Sequence, residues 1–180
     1  YGAKAASVHP LFAISGGGSA QAKIGLRFSR LRVTVGSCNG VGLLDVCGVH
    51  HREIASSDKP LYHAAAVCAS NLAVGLFASA QTMLERCGFG ADEARGALRP
   101  LFVANCESIA DEPIDALTGP IERNDAETVA GHLMAFREDP TLLKERDAYT
   151  ALSRVVVEVA AAKHPERDYS HIAEILRAAR

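Results

Sequence analysis

Two side chains able to handle a proton or a carbonyl oxygen, His63 and Asn71, stand eight positions apart in SDKPLYHAAAVCASNLAVGLFASAQTMLERC, residues 57–87. On one continuous helix that spacing is two turns and a little, so the two would share a face about 12 Å apart along the axis. They would not touch, but both could line one cleft. An imidazole suits proton transfer because its unperturbed pKa lies near neutrality. A buried asparagine must satisfy its amide on a neighbour or on a ligand, and a facing backbone or Asn105 would serve as well as a substrate. For His63 the plainer account is a satisfied core or interface histidine, and for Tyr62 it is packing.

His9 lies in the string SVHPLF. Pro10 holds the preceding residue extended, so the imidazole would project in a defined direction from a strand end. Strand ends are where α/β sheets bind ligands. In ALTGPIERND, residues 116–125, Thr118 and Arg123 are potential anion contacts beside a helix start; the same string also reads as a plain capping connection. The SGGGS run at 15–19 reads as a flexible loop, since no GxGxxG joins a strand to a helix and no P-loop lysine follows. No Ser-His-Asp or Cys-His nucleophile signature is present, and Cys68, inside an apolar helix, is expected to be inert. The adjacent His50 and His51 would point to opposite faces of a strand, which argues against a metal site.

These residues sit in a chain of 180, 48% apolar and 22% charged. That is enough to bury a real core. A net charge of −2 without a reader motif argues against nucleic-acid binding. Charge is uneven: residues 1–60 hold seven basic and three acidic side chains, the remainder twelve and eighteen. The front third is therefore positive, either as solvated surface arginines or as an attraction for a phosphate-bearing ligand. Five cysteines, at 38, 47, 68, 87 and 106, form no CxxC pair and read as reduced thiols of a cytoplasmic protein. No signal peptide is visible, and the start at Tyr1 suggests an excised or incomplete product.

Residues 1–56 are rich in glycine turns, and strands are expected at Leu31–Val35 and Gly48–Ile54 with a crossover between them. From Ser57 the chain reads as helical. The first helix would run unbroken to Cys87 over roughly 40 Å, buried at the centre of the fold because no face suits water. Its alanine content falls short of the ~20 strongly apolar residues of a membrane span. Gly88 and Gly90 would stop it. A second helix, Ala91 to about Ile109, is expected to kink or break at Pro100. A third would follow a capping box N-D-A-E at Asn124, Asp125 and Glu127 and end at Phe136. A fourth, from Pro140 to Lys163, would carry Leu142, Leu143, Tyr149, Leu152, Val155, Val156 and Val159 on one broad apolar stripe, and a last helix would span Tyr169–Arg180.

HPLF (9–12), KPLYHAAAVCASN (59–71), ARGALRPLF (94–102) and ALTGPIERND (116–125), in this order, resemble a Rossmann-like NAD(P)-dependent oxidoreductase family related to ketopantoate reductase-like proteins. Its members join a dinucleotide-binding domain to a C-terminal helical domain like that of 6-phosphogluconate dehydrogenase. The resemblance covers about Val8 to Tyr149. It implies a mainly α fold: a partial Rossmann-like α/β segment over 1–56 and a helical substrate-binding and dimerisation domain over 57–180. It also implies NADP or NAD as cofactor, a small carbonyl or hydroxy-acid substrate, and a homodimer through the long helix.

Two departures accompany the resemblance. The family's nucleotide fingerprint would lie upstream of HPLF, where this chain has only eight residues. Related dehydrogenases carry a catalytic lysine one turn before the asparagine on the long helix; if Asn71 matches that asparagine, the position is Val67. The proton-transfer role then falls to His63 or to His9, whose HP string resembles that of prephenate dehydrogenases. The rival readings are a catalytically silent dimerisation or regulatory module, and a helical binding protein using its Arg-rich front as an anion site.

Overall fold

The structure, a computed structural model, describes residues 7–10, 33–36 and 51–179. Three short strands, β1 (Ser7–Pro10), β2 (Val33–Gly36) and β3 (His51–Ile54), form one sheet in the order β1-β2-β3. β2 pairs parallel with β3 in the register Val33↔His51 to Gly36↔Ile54. A parallel pair needs a crossover connection, as the glycine-punctuated spacing predicts. β1 joins antiparallel to β2, with His9 opposite Thr34. The expected crossover between these strands and the SGGGS run at 15–19 lie outside the described residues.

Helices make up the rest: α1 (Lys59–Ala69), α2 (Asn71–Arg86), α3 (Ala91–Asp111), α4 (Ala126–Glu138), α5 (Leu143–Lys163) and α6 (Ser170–Ala178). The fold is mainly α, as expected. The chain divides into two compact units, Tyr1–Ala73 and Val74–Arg180.

The expected single helix over 57–87 is instead two, parted at Ser70, whose backbone leaves the helical region (φ −126, ψ −78). Ser70 Oγ donates to the Ala66 carbonyl at 2.6 Å. This is the local side-chain bond by which serine bends or ends helices. α2 then closes on Gly88, whose φ of +95 needs a residue without Cβ. Phe89 N donates to Leu84 O and Gly88 N to Glu85 O, the paired bonds of a Schellman ending. α3 runs 21 residues through Pro100, so of the expected kink or break the break does not occur. α4 is capped by Asp125, which accepts from Thr128 N. Asn124 takes a left-handed φ of 59 instead of capping, so the box expected on Asn124 and Glu127 is not the one formed.

The core of the second unit lies among α4, α5, α6 and the connection before α4. Ile121, Val129, Leu133, Ala160, Tyr169, Ile172, Leu176 and Ala179 cluster there. α5 turns Thr150, Ser153 and Ala160 inward; of the stripe read from the sequence, Leu142 is buried and Tyr149 and Val156 pack on the core, while Leu143, Leu152 and Val155 are exposed. The expectation of a buried first helix also fails: α1 and α2 bury no residue, and Leu61 is 76% and Val74 71% exposed. Residues 56–86 are in fact long and apolar enough to cross a membrane by length and composition, a test that core helices of soluble proteins also pass.

Candidate functional site

The most fully built feature is the connection from α3 to α4, where residues 112–125 turn twice through left-handed backbone, at Gly119 (φ 101) and Asn124. Its own backbone closes it: Arg123 N donates to Gly119 O, Asn124 N to Ile121 O and Asp125 N to Pro120 O. Ile121 anchors it in the core.

The end of α5 and the segment after it hold the loop from outside. Lys163 Nζ donates to the carbonyls of Asp115 (3.1 Å) and Leu117 (2.8 Å). Arg167 Nη1 and the Tyr169 hydroxyl both donate to the Glu122 carbonyl, at 2.9 and 2.8 Å. Asn124 Nδ2 donates to Asp168 O at 2.9 Å. The Glu122 carboxylate meets His164 Nε2 at 2.5 Å and Arg167 Nη1 at 3.5 Å. The His164 hydrogen bond is the main cause holding the Glu122 carboxyl below the ordinary glutamate value; the charges of His164, Lys163 and Arg167 add to it and desolvation opposes it. Asp125 is lowered too, first by its Thr128 hydroxyl and backbone bonds, then by the nearby charges of Arg123 and His132 against desolvation.

Thr118 and Arg123 are left exposed on this clamped loop. The capping connection read from the sequence is present, closed by the Asp125 carboxylate, and it leaves these two polar side chains exposed.

In the first unit, His63 lies exposed on α1 and Asn71 exposed as the first residue of α2. The break at Ser70 removes the shared-face argument for the pair. Ser70 Oγ stands 3.0 Å from Asn71 Oδ1 while also bonding Ala66 O at the shorter distance. The Ser70 hydroxyl proton is thus shared between the end of α1 and the Asn71 amide, with the Ala66 carbonyl the nearer acceptor. His9 sits at the next-to-last position of β1.

Cys68, Cys87 and Cys106 are free thiols, and Cys68 is exposed, so burial is not what would keep it unreactive. Among the described residues no three His, Cys, Asp or Glu side chains gather to hold a metal. The sequence reading missed the clamp residues Glu122, Lys163, His164 and Arg167, and the pair His132 and Tyr149, whose Nδ1 and hydroxyl are 2.9 Å apart. The clamp partners stand 42 to 48 residues apart, which leaves no local pattern. The only available signal was the crowding of Lys163, His164, Glu166 and Arg167 just past a helix.

Residues 40–156 match the family model described as Domain of unknown function (DUF2520). Among solved structures, protein TM1727 from Thermotoga maritima is similar with a TM-score of 0.70 at 22% identity, over 88% of this chain and 62% of that one. A protein named "putative NADP oxidoreductase BF3122", from Bacteroides fragilis, is similar with a TM-score of 0.53 at 23% identity, over 73% of this chain and 51% of that one. The chain thus spans about half to three fifths of the length of these neighbours, and at such identities the likeness is one of fold. No curated protein matches the chain.

Proposed function

The chain belongs to the DUF2520 family, and from that premise we propose that it is the substrate-binding and dimerising part of an NAD(P)-dependent oxidoreductase acting on a small carbonyl or hydroxy acid. The observation that carries this reading is the fold shared with the Bacteroides fragilis protein, whose name includes NADP oxidoreductase.

The described strand-to-helix junction, β3 to α1, does not fit a dinucleotide's phosphates. It contains no glycine, and Asp58, whose carboxylate accepts from Ser57 Oγ at 3.1 Å, stands as an anion at the helix start. NADP or NAD therefore belongs to the proposal by resemblance. A bound nicotinamide would supply hydride chemistry; this chain's own residues would bind and orient. In this reading Arg123 and Thr118 hold the substrate's anionic group on the clamped loop. His9 and His63 are candidates to hold or move a proton at the substrate carbonyl oxygen, and the Asn71 amide orients the substrate. Free cysteines are compatible with a cytoplasmic protein.

The apolar side chains left open on α1 to α3, Leu61, Leu72, Val74, Leu76 and Leu101 among them, favour a homodimer in which a second copy covers them. The same faces favour the second reading, a silent dimerisation module. The two part on a fluorescence titration of NADPH and NADH against the chain. Saturable micromolar binding supports the oxidoreductase reading, and its absence leaves the module. In both, light scattering at micromolar concentration should give a dimer; a monomer would count against the module and against the proposed interface.

A further inference from the structure

α5 leaves one row of apolar side chains open. Val155 is 54% exposed and Leu152 lies beside it, with Ala148 and Val159 half-buried in the same row. The spacing 148, 152, 155 and 159 is the alternation of four and three by which one helix lies along another. α3 has a matching need. From Val103 to its last residue, Asp111, every residue is exposed, and Leu101 and Ile109, eight positions apart, share a side, with Leu101 70% open. A helical stretch this short is marginal in water and is held by packing an apolar face. Both rows are open in one chain at once, so within it neither covers the other.

Charge decides the direction in which the two rows would meet. On α5 the exposed charges without an ion-pair partner among the described residues are Lys144 near its start and Glu158 near its end, ~21 Å apart along the axis. On α3, Asp92 is paired with Arg95 and the Glu93 carboxylate accepts from Gly90 N. That leaves Arg99 towards one end and Glu107, Asp111 and the cap residue Glu112 towards the other, with Arg99 and Glu112 ~20 Å apart. Laid antiparallel, Arg99 falls opposite Glu158 and Glu112 opposite Lys144. The same register sets Leu101 across from Val155 and Ile109 across from Ala148. Laid parallel, the apolar rows would still meet, but Arg99 would lie towards Lys144 and the three carboxylates towards Glu158, which like-charge repulsion disfavours.

We infer that the open row of α5 is the docking surface for α3 of a second copy of this chain, the two helices antiparallel, with Arg99 meeting the partner's Glu158 and Glu112 the partner's Lys144. The inference rests on the homodimer reading above and names the element that answers α3. Two-fold symmetry repeats each of these contacts, so every charge pair counts twice. The test uses two forms of the full chain, Lys144→Glu and Glu112→Lys, both at exposed positions where folding is not at stake. Each form alone faces like charges twice in its own homodimer, which should weaken about tenfold by light scattering over a dilution series. A heterodimer of the two forms has opposite charges at both places again. Co-expressed in equal amounts with tags of different mass, they should be found by native mass spectrometry as heterodimer in about nine tenths of the dimer, against about half by chance.

A heterodimer share near one half, with the unaltered chain dimeric, overturns the pairing of α3 with α5 and leaves a homodimer through another face. An unaltered chain that stays monomeric throughout the micromolar range overturns both the pairing and the homodimer.

Discussion

The first three helices carry the longest apolar run in the chain and bury one residue, Ala94; the last three, more heavily charged, enclose the main core. The difference lies in partners rather than in hydrophobicity. α4, α5 and α6 each find two neighbours within the same unit. α2 meets α3 through the Phe77–Phe102 edge pair, centroids 5.1 Å apart, and the Gln81 bond to Ala91 O. A run of apolar residues states a need for cover and leaves open what meets it.

That contrast can be broken by substitution. Leu176→Ala, at a fully buried site in α6, should cost about 2–5 kcal/mol through lost burial and a cavity. The loss would be read as a fall in the denaturant midpoint. Asn124→Ala puts a residue with a Cβ but no local polar side chain into left-handed backbone and removes the bond to Asp168 O. From the backbone alone a loss of roughly 1–2 kcal/mol is expected. Leu76 is half exposed on α2. Leu76→Gln should change the stability of a lone chain by roughly 0.5 kcal/mol or less. If the proposed homodimer exists, the same change should shift its dissociation to higher concentration by light scattering.

Acid sharpens the comparison further. Glu122, Asp125, Asp139 and Asp168 all have folded-state carboxyl values below their ordinary ones, held by His164, Thr128, Thr141 with Arg86, and Ser170 respectively. A lowered folded value means that the unfolded chain binds protons first. The stabilisation is present above the ordinary carboxylate range and is lost as pH falls through the lowered values. All four lie in the loops and caps around α4 to α6. Hydrogen exchange at those amides should accelerate as pH drops below about 4, relative to the intrinsic rate, before it does in α3.

Much of the backbone was legible. Gly88 marks the end of α2 because only a residue without Cβ accepts its backbone freely, and the turn-rich front yields a parallel strand pair close to the expected positions. The break at Ser70 was not legible, because a serine inside an apolar run has the option of bonding back to the helix and nothing local says when it takes it. Nor was the inward turn of Thr150 and Ser153, which are buried on α5 while Leu152 and Val155 lie exposed. Of the candidate site, Thr118 and Arg123 were readable as a turn near a helix start, while the groups that hold that turn come from the far side of two helices.

The loop bonds that involve Lys163, His164, Arg167, Asp168 and Tyr169 span 42 to 48 residues of sequence. In a chain made from its amino end, the turn carrying Thr118 and Arg123 is synthesised well before anything that fastens it. Its final geometry must wait for α4 and α5 to form and for the segment leading into α6 to leave the ribosome. The candidate anion contacts are thus among the last parts of this unit to acquire their working shape, and a nascent chain stopped just short of Lys163 would hold them in the right order but not in the right place.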